Sequence, residues 1–197
     1  QRQMCIRDRL FSHLFSSGQQ TIILLHGFMG WGRDEMGKYY YWGGFTDLQK
    51  YLQDEGFNVY TVSVGPISSN WDRAVELYYQ IKGGQVDYGK GHSNIYGIVQ
   101  KPRNKIYKGL YPEWSPDNPI HLIGHSMGGI ITKLLSTQSN DDFWKTTFVA
   151  PPSIISQQHE KDIHDLFIFD PVFESSTVFY LDTPHKGSAL ATSALGY

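Results

Sequence analysis

The residues best suited to chemistry are Gly124-His125-Ser126-Met127-Gly128, which fit the pattern G-x-S-x-G. A serine hydroxyl becomes a useful nucleophile when it is pushed out of a sheet on a sharp strand-to-helix turn. A Cβ two residues before or after such a serine would collide with the neighbouring turn or strand, so Gly124 and Gly128 are the residue types the turn needs. The turn also puts Ser126 at the start of a helix, where free N–H groups favour a developing oxyanion. The five letters alone are a weak signal, because a glycine-rich turn that binds nothing shares them. Their surroundings favour chemistry: the apolar run Ile120-His121-Leu122-Ile123-Gly124 leads in, and a helix with Ile130, Ile131, Leu134 and Leu135 on one face follows.

Attack on an ester or amide carbonyl needs two donors for the oxyanion. One is the backbone N–H of the residue after the nucleophile, here Met127. The other belongs on a loop after an earlier strand, and His26-Gly27-Phe28-Met29-Gly30 follows the strand-like Thr21-Ile22-Ile23-Leu24-Leu25. Phe28 N–H is the candidate second donor, with Gly27 and Gly30 allowing close approach of the backbone. The competing reading is a plain glycine turn with Phe28 packed in the core.

Ser126 also needs a general base and an acid to orient it, in the chain order Ser, Asp or Glu, His. His159 and His164 fall in an irregular stretch, and His185 follows a strand without an acidic partner before it. None makes a convincing pair, so both partners are expected beyond Tyr197. His159-Glu160-Lys161-Asp162-Ile163-His164 has the wrong spacing for a zinc-binding helix. Cys5, the one cysteine, permits no internal disulfide. The basic stretch of residues 101–108 reads as a solvated loop.

The elements that must position these residues alternate in type. Strands are expected at residues 21–25, 58–64, 120–124 and 177–181. Helices are expected at 45–54, closed by Gly56, at 70–82, capped by Ser69 or Asn70 and stopped by Gly83-Gly84, and at 128–136. Residues 85–114 read as loop and 141–174 as an irregular insert. This order implies an α/β fold with a mostly parallel, doubly wound sheet. The chain has 197 residues, 40% hydrophobic and 18% charged, with net charge −2. That suits one globular domain, residues 19–197, after a leader (1–18) that is disordered or non-native. It points away from nucleic acid as the main partner, and the apolar runs are too short to span a bilayer. The sequence reads as a piece of a longer protein, incomplete at its C-terminal end.

A denser set of residues carries a family resemblance. Leu24-Leu25-His26-Gly27-Phe28, Gly30-Trp31-Gly32-Arg33-Asp34-Glu35-Met36 and Tyr41-Trp42-Gly43-Gly44 come first. Val64-Gly65-Pro66, Ser68-Ser69-Asn70-Trp71-Asp72-Arg73-Ala74, Gly83-Gly84 and Val86-Asp87-Tyr88-Gly89 follow, then Gly124-His125-Ser126-Met127-Gly128-Gly129 and Thr183-Pro184-His185. In these the chain resembles the bacterial triacylglycerol lipases of the staphylococcal and Geobacillus type. The resemblance implies the α/β-hydrolase fold, hydrolysis of acylglycerols or other lipid esters at a lipid–water interface, a mobile lid and, in many members, secretion. It implies Ser126 as nucleophile, Phe28 and Met127 as oxyanion donors, and no cofactor for the chemistry. It also implies a structural zinc site of two aspartates and two histidines, of which Asp72 and His92 match two. The second histidine falls on Ile98, which cannot bind metal, so zinc is an expectation with half its ligands in hand. The rival functions are a short-chain carboxylesterase, thioesterase or acyltransferase, and a non-catalytic binding protein of the same fold.

Overall fold

The structure, a computed structural model, describes residues 21–115, 117–136 and 177–187. Strand β1 (Thr21–Leu25) is followed by helix α1 (Leu48–Asp54), β2 (Asn58–Val62), α2 (Asn70–Lys82) and β3 (Gly84–Gln85). Then come α3 (Lys90–Tyr96), β4 (Ile106–Tyr107), β5 (Ile120–His125), α4 (Met127–Ser136) and β6 (Thr177–Leu181). The leader and the 141–174 insert, with Cys5, His159 and His164, lie outside the described residues.

Strands β2, β1, β5 and β6 form one sheet in that order, every pair parallel. A parallel sheet is covered on both faces, which is why its strands are continuous apolar runs. On one face Ile23, Leu25, Val62, Ile120 and Leu122 pack with Ala74, Leu77 and Ile81 of α2 and with Ile131 and Leu135 of α4. On the other face Leu24 and Val59 are also buried. Each such side chain, fully buried, contributes about 1.5–3 kcal/mol. The two helices touch each other as well as the sheet, and so fix where the turn between β5 and α4 sits.

Local details differ from the sequence reading, and β2 ends at Val62 rather than 64. Helix α1 starts at Leu48 rather than 45: the Asp47 carboxylate accepts from Lys50 N–H as an N-cap, and Phe45 stays exposed. Residues 85–114 are not plain loop, since β3 and β4 form an antiparallel ribbon and α3 lies between them. The basic stretch of residues 101–108 is not simply solvated, because Lys105 turns inward to the buried Glu76. Helix α2 has the expected Ser69 cap, whose hydroxyl accepts from Asp72 N–H, and the expected stop at Gly83.

Candidate active site

Ser126 lies on the turn between β5 and α4 with φ of 54°, a left-handed conformation that side chains other than glycine rarely adopt. Its N–H donates to the Leu181 carbonyl (2.8 Å), and its own carbonyl accepts from Gly129 N–H (3.1 Å). The glycines around it leave no room for a side chain. A Cβ on Gly124 would stand 2.6 Å from the Gly128 carbonyl, and one on Gly128 would stand 2.6 Å from the Leu25 carbonyl oxygen. A Cβ on Gly129 would fall 1.9 Å from Thr183 Oγ1, so Thr183 packs directly on the elbow.

The loop after β1 comes up against this turn, since a Cβ on Gly27 would lie 2.8 Å from Ser126 Cβ. Phe28 is half exposed rather than packed in the core. Met29 has φ of 52°, held there by its N–H donating to the Pro66 carbonyl (2.9 Å). Among the described residues the amides of Phe28 and Met127 have no acceptor, so both are free to serve a ligand.

Three side chains hold the loop from below. The Tyr41 hydroxyl accepts from Gly27 N–H (2.9 Å) and lies 2.5 Å from His125 Nδ1, which ties the loop to the strand that ends at Ser126. His26 is fully buried: its Nε2 accepts from Val64 N–H (3.1 Å), which places the proton on Nδ1, and Nδ1 donates to the Gly27 carbonyl (2.9 Å). Burial is the main cause that pulls the His26 pKa below 6.5, so the ring is neutral at pH 7. Arg73 of α2, also fully buried, donates from Nη2 to the carbonyls of His26 (3.2 Å) and Gly27 (2.9 Å). Burial lowers its pKa to about 10, which still leaves it charged.

Asp72 and His92, the two positions that the resemblance matched to zinc ligands, meet, with His92 Nε2 2.7 Å from Asp72 Oδ1. Burial by itself raises the Asp72 carboxyl, but the hydrogen bonds from His92 and Ser69 hold it below its ordinary value. Ile98 packs instead against the apolar cluster of Val75, Val86 and Tyr88. Among the described residues no group of three or more potential ligands gathers, so they supply two of the four donors that a closed structural zinc site takes. His185 is exposed, and its ring lies edge-on to Tyr180 (4.8 Å between centroids). It makes no hydrogen bond to Ser126 or to a carboxylate among the described residues.

Tyr41, Arg73 and Thr183 went unassigned in the sequence although all three stand inside the motifs that carry the resemblance. What they do depends on partners 14 to 84 residues away, and no local pattern records that.

The chain is similar in sequence and fold to known lipases. The chain is 36% identical over 177 residues to Lipase 1 of Staphylococcus aureus (strain MRSA252), covering 86% of this chain and 24% of that protein. It is 38% identical over 174 residues to Lipase 2 of S. aureus, with the same coverage. Among solved structures, lipase 1 from Pelosinus fermentans matches with a TM-score of 0.70 and 38% identity, over 91% of this chain and 45% of that one. Staphylococcus hyicus lipase matches with a TM-score of 0.68 and 32% identity, over 91% and 45%. EstA from Clostridium botulinum matches with a TM-score of 0.67 and 38% identity, over 89% and 38%. The chain thus spans about a quarter of the length of the curated relatives it matches. The family model described as "Lipase-like, C-terminal domain" matches residues 18–196, nearly the whole sequence, and the chain belongs to that family.

Proposed function

We propose that this chain carries the nucleophile and the oxyanion hole of an α/β-hydrolase-fold enzyme that cleaves carboxylic esters of lipids, triacylglycerols above all. The observation that carries the reading is the left-handed backbone at Ser126, kept between glycines that tolerate no Cβ, beside a loop whose Phe28 amide has no acceptor among the described residues. Strain of this kind costs of order 1–3 kcal/mol and persists where function requires it. The names of the relatives, lipases in four of the five proteins cited, support the substrate class.

In this reading Ser126 Oγ attacks the ester carbonyl, and its proton passes to a histidine further along the complete protein, oriented by an acidic residue there. The carbonyl electron pair moves onto oxygen, where the N–H groups of Phe28 and Met127 receive the charge. Each such donor is worth about 3 kcal/mol. The alcohol leaves with the proton from the histidine, and water releases the acid from the acyl-serine by the same steps. Among the described residues no helix is long and apolar enough to cross a membrane.

Ser126→Ala in the full-length protein tests the reading. Hydrolysis of emulsified long-chain and soluble short-chain esters should fall by roughly three orders of magnitude or more, with the thermal melt unchanged. Retained hydrolysis would remove Ser126 from the mechanism, and a preference for the soluble esters would favour the carboxylesterase alternative.

A further inference from the structure

Arg73 is a fully buried cation, and among the described residues no carboxylate lies within ion-pair distance of it. Among the described residues its Nε and Nη1 atoms have no hydrogen-bond partner, and only Nη2 is used, on the carbonyls of His26 and Gly27. The buried Glu76 carboxylate, three residues along α2, partly offsets this charge from a distance but does not pair with it, so keeping the cation buried is still costly. What Arg73 does at those carbonyls is therefore the place to look for its value.

The Gly27 carbonyl and the Phe28 N–H belong to one peptide group, which is trans and so points its N–H opposite to its oxygen. The oxygen accepts from Arg73 Nη2 (2.9 Å), His26 Nδ1 (2.9 Å) and, more weakly, Gly30 N–H (3.2 Å), and these donors together fix the plane of the peptide. A cation on the oxygen also draws electron density from the nitrogen, and hydrogen bonds that share a group strengthen one another in a low-dielectric interior. We infer that Arg73 is a positioning residue for the oxyanion hole: it orients and polarises the Gly27–Phe28 peptide so that the Phe28 N–H meets the developing oxyanion as a fixed, strengthened donor. The inference rests on the reading of Phe28 as the second donor.

This role differs from structural support, because its effect falls on the transition state and not on substrate binding. In the full-length protein, hydrolysis of p-nitrophenyl butyrate is to be measured for Arg73→Lys, Arg73→Met and Ser126→Ala, per folded molecule. Arg73→Lys keeps the charge but replaces the rigid guanidinium, whose Nη2 reaches both carbonyls, with a point charge on a flexible stem. It should lower kcat about tenfold, and Arg73→Met about a hundredfold, which is near the lower limit for outright loss of a donor. KM should stay within about twofold in both. If Arg73→Met does not fold, Arg73→Lys decides alone. A kcat for Arg73→Lys within twofold of the parent, or a loss that only follows the folded fraction, overturns the inference and leaves the ester-hydrolase reading intact provided Ser126→Ala is dead. An active Ser126→Ala defeats that reading, and this inference with it.

Discussion

The sheet and the two helices that carry Ser126 are packed together by apolar side chains. Ile23, Leu25, Ile120 and Leu122 of the sheet pack against Leu77, Ile81, Ile131 and Leu135 of the helices, and all eight are buried. The ribbon of β3 and β4 with α3 is held differently. Its apolar cluster is small, with Val75, Val86 and Tyr88 at the centre. Beside it the buried Glu76 carboxylate accepts from the Tyr88 hydroxyl (2.6 Å), Gly65 N–H (2.8 Å) and the Lys105 ammonium. Asp87 accepts from Gln100 and Gly89 N–H (2.9 Å each) and pairs with Lys101 (3.0 Å), and His92 meets Asp72. Burial of apolar surface is non-directional and tolerant of small shifts. A polar clasp needs each partner in place, and a missing one leaves a buried charge uncompensated.

Several substitutions press on this contrast. Leu122→Ala should cost about 4 kcal/mol by opening a cavity in the sheet's core, and urea unfolding should show one cooperative transition shifted to lower denaturant. Two separate transitions would break the picture of a single body. Lys105→Met should cost about 2 kcal/mol, less than the roughly 3–5 of a fully buried pair, because Lys105 is 27% exposed and Tyr88 and Gly65 still serve Glu76. Its mark should be local: amide exchange should quicken across residues 84–107 and hold steady in β1 and β5. An unchanged exchange pattern would show that apolar contacts suffice there.

Acid should separate the two regions by a smaller effect. Burial keeps His26 and His121 below the ordinary 6.5, so the unfolded chain takes up protons there before the folded one does. The stability they confer is complete above about pH 6.5 and declines as the pH falls below it toward the folded values. Burial by itself raises Asp87, but Gln100, Gly89 and Lys101 outweigh it and bring it below 3.8. Its contribution therefore survives to about pH 4 and is lost only below that. A melting temperature that drops between about pH 7 and about pH 5, with sheet amides exposed first, fits this sign. A flat curve over that span would remove His26 and His121 from the balance.

The same contrast explains what could be read from the sequence. The four sheet strands and helix α2 follow from short apolar runs, the Ser69 cap and the Gly83 stop, all of them local signals. Ser126 and its glycines were legible because an elbow is a local device of five residues. The ribbon was read as loop because β3 and β4 have two residues each, and their stability lies in Glu76 and Lys105, 29 residues apart. Arg73 was legible as part of a motif, but its burial and its reach to Gly27, 46 residues away, were not.

The position of β1 has a consequence for how the protein comes into being. It pairs with β2 on one side, a near neighbour in sequence, and with β5 on the other, roughly a hundred residues later. A chain emerging from the ribosome can join β1 to β2 early, through a short closure, and must carry the loop of Gly27 and Phe28 without its counterpart until β5 arrives. Even then Ser126 lacks the acceptor for its amide, and Gly129 lacks its packing partner, until Leu181 and Thr183 have been made. The elbow's serine is thus locked into its geometry late in synthesis, long after the first strands can pair.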